Sequence, residues 1–189
     1  MAQGFNKSRL FFLLTMTILL GCNQKPETPD QLTSTSEQQQ ITSLDQIYQL
    51  ASDKNASCLA LTDSILQTTS DPNARAEAFY IKGLYFSNIK DIPSAERFLD
   101  STIKENYTFY DAYIEKGIIL NEKGEFETAL KTLMIAVEIT KNNADLYYWI
   151  GKSYEGMKKN KEANAYYSMT LQIEPTFQAA AEALKRTKQ

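Results

Sequence analysis

The residues able to do covalent, acid–base or metal chemistry are few. Two thiols, Cys22 and Cys58, and 23 carboxylates stand in a chain of 189 residues that contains no histidine. Without imidazole there is no Ser-His-Asp triad, no Cys-His pair and no His-ligated zinc or haem, and no side chain ordinarily titrates near neutrality. Catalysis by carboxylates alone would need two acids with opposed environments converging on one pocket. The acids here fall at helical spacing and read as a solvated face. No Gly-rich phosphate loop, metal-ligand cluster or nucleophile motif occurs in the sequence. The expectation is therefore a protein that is not an enzyme, with no catalytic residue, no metal and no cofactor. A net charge of −3 lacks the basic excess of a nucleic-acid binder, so no nucleic-acid partner is expected either.

What precedes Cys22 gives that thiol its chemistry. Lys7 and Arg9 lead into Leu10–Leu20, a stretch without charge that ends in Leu19-Leu20-Gly21-Cys22. A spanning helix needs about 20 apolar residues, so this shorter run reads as the core of a secretory signal. Its ending resembles the lipobox of bacterial lipoproteins, with Leu19 as the aliphatic residue, Gly21 as the small residue before the cut and Cys22 as the thiol that takes the lipid. Leu20 is bulkier than the small residue usual at its place. The resemblance implies a signal peptide over 1–21, cleavage between Gly21 and Cys22, and an acylated Cys22 holding the protein at the membrane. The alternatives are an uncleaved anchor or an ordinary signal followed by an unrelated cysteine. Residues 23–40, with Leu32 their only aliphatic side chain, cannot bury enough surface to offset ordering and read as a tether. As a flexible coil it would reach roughly 20–25 Å. The resemblance places the protein in the bacterial cell envelope. Asn23 stands where an Asp retains some lipoproteins in the inner membrane, which favours the outer membrane.

The rest of the chain is organised by a period. Gly83, Gly117 and Gly151 are each 34 residues apart, as are Ala95, Ala129 and Ala163. Phe79/Tyr113/Tyr147, Phe86/Leu120/Tyr154, Leu99/Leu133/Tyr167 and Ile103/Val137/Leu171 keep the same interval. Six columns in one register make an internal repeat. Leu130, Leu133, Met134 and Val137 trace an amphipathic helical stripe, and the prolines all fall outside helix interiors. The pattern resembles the tetratricopeptide repeat (TPR), a 34-residue helix-turn-helix unit. The copies are 76–109, 110–143 and 144–177. Pro175 closes the third, while Tyr107 and Lys141 take its place in the others; Lys82 and Lys116 stand where the repeat is commonly aliphatic. The expected fold is all-α: an α-solenoid of three clear repeats, a degenerate helix pair within 41–75 (Ser43–Ala51 and Ser57–Leu66), and a capping helix over 178–189 with Thr176 as its N-cap candidate, nine helices in all. Small Gly and Ala at the helix crossings are expected to let backbones approach, with large side chains filling the space around them.

The resemblance also implies a concave groove lined by the first helix of each repeat. Its columns are Glu77/Asp111/Asp145, Tyr80/Ile114/Tyr148, Leu84/Ile118/Lys152 and Ser87/Asn121/Glu155. This predicts an apolar, aromatic middle with an acidic edge, suited to a basic or apolar peptide and lacking the Lys and Asn residues of the family's carboxylate clamp. Acids near a helix start also favour the macrodipole with no ligand involved. On the convex side Met134, Ile135 and Met169 stand where the repeat is usually polar, which reads either as a homodimer or partner patch or as local gap-filling. Cys58 reads as a small core residue, the alternative being a reactive thiol or intermolecular disulfide. The function expected is a lipid-anchored protein–protein interaction scaffold or adaptor binding proteins or peptides in its groove. The alternative is a chaperone-like or solute-binding lipoprotein that holds extended chains or glycans transiently.

Overall fold

The computed structural model describes residues 43–187. The signal segment, Gly21, Cys22 and the tether lie outside the described residues. Among those described there are nine α-helices and no strand. They are α1 (Leu44–Ser52), α2 (Ser57–Thr68), α3 (Pro72–Asn88), α4 (Ile92–Glu105), α5 (Tyr110–Glu122), α6 (Phe126–Ile139), α7 (Ala144–Gly156), α8 (Asn160–Ile173) and α9 (Gln178–Thr187).

Local signals set the helix ends. Ser43 and Gln46 form a reciprocal capping box at α1. Asp71 caps α3 through the Ala74 amide at 2.8 Å, with Pro72 in the first turn, where its missing donor costs nothing. Asn143 caps α7 at 2.9 Å. Thr176 is no cap: α9 starts at Gln178, after a turn in which the Phe177 amide donates to the Glu174 carbonyl. The turns that leave α1, α3, α5 and α7 each contain one residue of positive φ: Lys54, Lys90, Gly124 and Lys158.

Each inner helix, α3, α5 or α7, packs most extensively on the outer helix that follows it, and α3, α5 and α7 also touch in series. The repeat glycines make the close pairing physical. A Cβ on Gly83 would lie 2.9 Å from Leu99 Cδ2, one on Gly117 2.4 Å from Leu133 Cδ2, and one on Gly151 2.6 Å from Tyr167 Cε1. Leu99, Leu133 and Tyr167 are themselves fully buried, so one column of large side chains fills the space that the glycine column leaves. Ala95, Ala129 and Ala163 are buried as the small partners of these crossings. Gly156 plays an unforeseen part, since a Cβ there would meet the Phe126 ring at 2.3 Å.

Two departures from the repeat pattern are resolved by charge. Lys82 is buried yet pairs with Asp63 of α2 and lies 5.2 Å from the Phe98 ring centre. Lys116 pairs with Asp100 of α4. Each lysine thus packs its alkyl stem where an aliphatic side chain is usual and carries its charge to an acid at the surface.

Candidate functional site

The site is built on α3, α5 and α7, whose side-by-side packing presents one face of each to the same side. The columns expected to line it divide by burial. Glu77, Leu84, Asp111, Ile118, Asp145, Tyr148 and Lys152 are half-buried. Tyr80 and Ile114 are only 8% and 3% exposed, which corrects the expectation that they form the open middle of the groove. The reason is a contact made by the last residue of the repeat. Phe109 brings its ring to 4.9 Å from Tyr80, and Phe177, in the same column two repeats on, to 5.1 Å from Tyr148. Tyr48 of α1 closes on Tyr80 from the other side at 6.0 Å. Ile114 joins the cluster that contains Leu133, Leu146 and Ile150.

Polar groups of the same face fix the inner helices against one another. Ser87 donates to Glu115 at 2.7 Å. Asn121 donates to the Gly117 carbonyl at 2.9 Å and to the Ser153 hydroxyl at 3.0 Å. Glu155 receives Arg186 of α9 at 2.7 and 3.0 Å and the Tyr167 hydroxyl at 2.6 Å, with Lys152 at 3.7 Å. These residues hold register, and the face carries further acids.

Those acids gather toward the α1 end. The Tyr48 hydroxyl donates to Glu77, and burial together with Glu77 and Asp111 holds that phenol far above its usual range. Tyr80 is raised in the same way by burial, then by Glu115 and Asp111. Burial raises the Glu115 carboxyl despite its bond from Ser87. At the far end burial, reinforced by Glu174, raises Asp145. A shallow depression of about 320 Å³ lies between α3 and the start of α5, bounded by Glu77, Asp111, Asn73, Asn106, Phe109 and Tyr110. Sequence reasoning missed Glu115 because its column holds Ile81 and Trp149 in the other copies; an acid found in one copy alone was the available signal. Glu77 is also not a first-turn acid, because α3 starts at Pro72. The macrodipole account therefore covers Asp111 and Asp145 and not Glu77.

On the outer side Met134, Ile135 and Met169 are 37%, 47% and 36% exposed. One repeat on from the Lys116–Asp100 pair, the equivalent positions hold Ile150 and Met134, so charge is lost from both columns together. That accounts for Met134; Ile135 and Met169 share the next column and remain exposed apolar residues of α6 and α8. Cys58 is fully buried beside Ile47, Ala51 and Ile81, where burial pushes its thiol up and disfavours the thiolate. Among the described residues no group of three or more His, Cys, Asp or Glu is placed to hold a metal ion, and no helix is long and apolar enough to cross a membrane.

Comparison with known proteins agrees with this architecture. Residues 117–158 match the family described as TPR repeat, and 144–177 match the tetratricopeptide repeat. No curated protein matches the chain. Among solved structures, the Arabidopsis OM64 TPR domain is 27% identical with a TM-score of 0.59, covering 61% of this chain and 96% of its own. MamA is 22% identical with a TM-score of 0.62, covering 74% of this chain and 80% of its own. YrrB, a TPR protein with an unusual peptide-binding site, is 18% identical with a TM-score of 0.58, covering 75% and 68%. The chain carries tetratricopeptide repeats and folds as a TPR-type helical solenoid.

Proposed function

We propose that the protein is a non-enzymatic interaction scaffold, anchored by lipid on Cys22 at the bacterial cell envelope, with the outer membrane favoured, and that it docks protein or peptide partners on the face formed by α3, α5 and α7. The observation that carries the docking role is the arrangement of that face. Three inner helices of consecutive tetratricopeptide repeats present half-buried apolar residues, Leu84 and Ile118, beside a row of acids, and extended concave faces are what solenoids use for binding. YrrB, which shares the fold, is a peptide-binding TPR protein, and that likeness adds support.

The anchor rests on the run Leu19-Leu20-Gly21-Cys22 after a short uncharged stretch. One acyl chain binds a membrane only marginally, whereas two or more give stable attachment. Cells labelled with palmitate should show incorporation into the wild type and none into Cys22→Ser, which should also leave the membrane fraction; label retained in the variant would overturn the anchor. Photocrosslinkers placed at Leu84 and Ile118 should trap one or two defined proteins, and Ile118→Arg should abolish their capture. A broad, substoichiometric spectrum would instead fit a chaperone-like carrier. Ile135 and Met169 provide a second, convex contact surface, including a homodimer contact, and a fall in solution mass on Ile135→Lys would identify it.

A further inference from the structure

The docking face is rich in acid and poor in cations. Glu77, Asp111 and Asp145 recur at one-repeat intervals, and Glu115, partly offset by Lys90, adds a carboxylate near Asp111. Lys152, the one cation among the expected groove residues, lies by Glu155, which Arg186 already holds. Among the described residues no lysine or arginine forms an ion pair with Glu77, Glu115 or Asp145. A divalent cation does not fit, because no three of these groups are placed to ligate one ion. The carboxylates are spread along the face, and the ligand that matches them is equally spread.

Its spacing follows from the helices. Packed neighbours such as α3, α5 and α7 stand roughly 8–10 Å apart. An extended chain in the polyproline II form advances ~3.1 Å per residue with three residues per turn, so every third side chain falls on one side at ~9 Å intervals. Residues i, i+3 and i+6 of a segment crossing the inner helices therefore meet successive repeats. Resting on the reading of this face as the docking surface, we infer that it selects an extended peptide segment with Lys or Arg at every third position. Glu77, Asp111 and Asp145 receive the three cations in turn, and Leu84 and Ile118, two turns further along α3 and α5, flank the segment on its apolar side. The depression beside Glu77 and Asp111, walled by Phe109 and Tyr110, admits the first cationic side chain and offers it ring faces as well as carboxylates. Carboxyls that burial holds above their ordinary range, as at Glu115 and Asp145, weigh against the fold when ionised, and an incoming cation removes that disadvantage.

The test uses the full chain in detergent and three labelled nine-residue peptides read by fluorescence anisotropy. One carries lysines at positions 1, 4 and 7 among Ala and Leu, one has the same composition with the lysines adjacent, and one has Glu in place of Lys. The spaced peptide is expected to bind about tenfold more tightly than the clustered one, the Glu peptide not measurably, and binding should weaken with salt. Asp111→Asn and Asp145→Asn should each cost roughly three- to fivefold, with melting temperatures confirming that both variants fold. Equal affinity for the spaced and clustered peptides overturns the register, and preference for the Glu peptide overturns the charge assignment. If no peptide binds but Ile118→Arg still abolishes capture of a defined native partner, this inference fails and the docking face stands. If the spaced peptide binds Ile118→Arg as well as wild type, both fail.

Discussion

At the scale of single residues, the protein is governed by what fills the space beside small side chains and what answers a half-buried charge. Gly117 shows the first. Alanine is the better helix former by about 1 kcal/mol, yet its Cβ would lie 2.4 Å from Leu133 Cδ2, and Leu133 is fully buried with nowhere to move. Overpacking of this kind costs about 1–3 kcal/mol, so Gly117→Ala should destabilise despite its propensity. In Gly117→Ala/Leu133→Ala the two losses should be less than additive by thermal melts, because the second change removes the clash. Lys82 shows the second. Asp63→Ala leaves a buried ammonium without its acid and should cost about 1–3 kcal/mol, whereas Lys82→Ile restores the residue type usual at that place and should be neutral or stabilising. Chemical denaturation of the two variants checks both signs. Glu115 belongs with them. Its folded carboxyl lies above its ordinary value through burial, so the folded state binds the proton more tightly and stability falls as pH rises through the window above about 4.3. Glu115→Gln should therefore raise the melting temperature at pH 7, and the advantage should vanish below pH 4.

At the scale of helices, the elements that sequence made legible are those built from local and periodic information. The glycine and alanine columns and the amphipathic stripes place α3 to α8, because a 34-residue period repeats the same crossing three times. The α1–α2 pair was legible only as a departure from that period. Lys82 finds its acid 19 residues back whereas Lys116 finds Asp100 16 back, so the first interface is set in a different register. What sequence could not give was burial that depends on distant partners. Tyr80 looks like a groove residue in its own helix and becomes a core residue through Phe109 and Tyr48, which lie 29 and 32 residues away. The last helix is held by a similar long-range contact. Burial would raise Glu155, but hydrogen bonds from Arg186 and Tyr167 outweigh it and its carboxyl lies below the usual range. A depressed carboxylate contributes stability above its unfolded pKa, and that contribution is lost as pH falls through the folded value. The protection factors of the α9 amides, corrected for the intrinsic exchange rate, should consequently fall below about pH 4. Arg186→Ala should show the same loss of protection at neutral pH, with α3 and α4 unchanged.

At the scale of the whole molecule, a solenoid is a row of interfaces, each between neighbours, so the reach of a lesion depends on which interface it breaks. The cluster around Leu133 draws on α5, α6 and α7, with Tyr113, Ile114, Ala136, Leu146, Tyr147 and Ile150 as its other buried members, and Ile103 of α4 packs against it. The cluster at the end is smaller, with Ala163, Tyr167 and Ala183 buried and Tyr148 and Leu184 beside them. Losing the α9 contact leaves every interface from α1 to α7 intact. Losing Leu133 opens the junction through which the first repeat communicates with the third. Leu133→Ala removes a fully buried side chain and leaves a cavity under Gly117, at a cost of about 2–5 kcal/mol. Hydrogen exchange resolved by helix should then show α3 to α8 losing protection together, while Arg186→Ala exposes α9 first and the rest at the wild-type rate. A uniform loss of protection in both variants would show that the array folds as one indivisible unit. Protection lost in α5 to α8 alone after Leu133→Ala would place the weak interface between α4 and α5, where Lys116 and Asp100 meet at the surface.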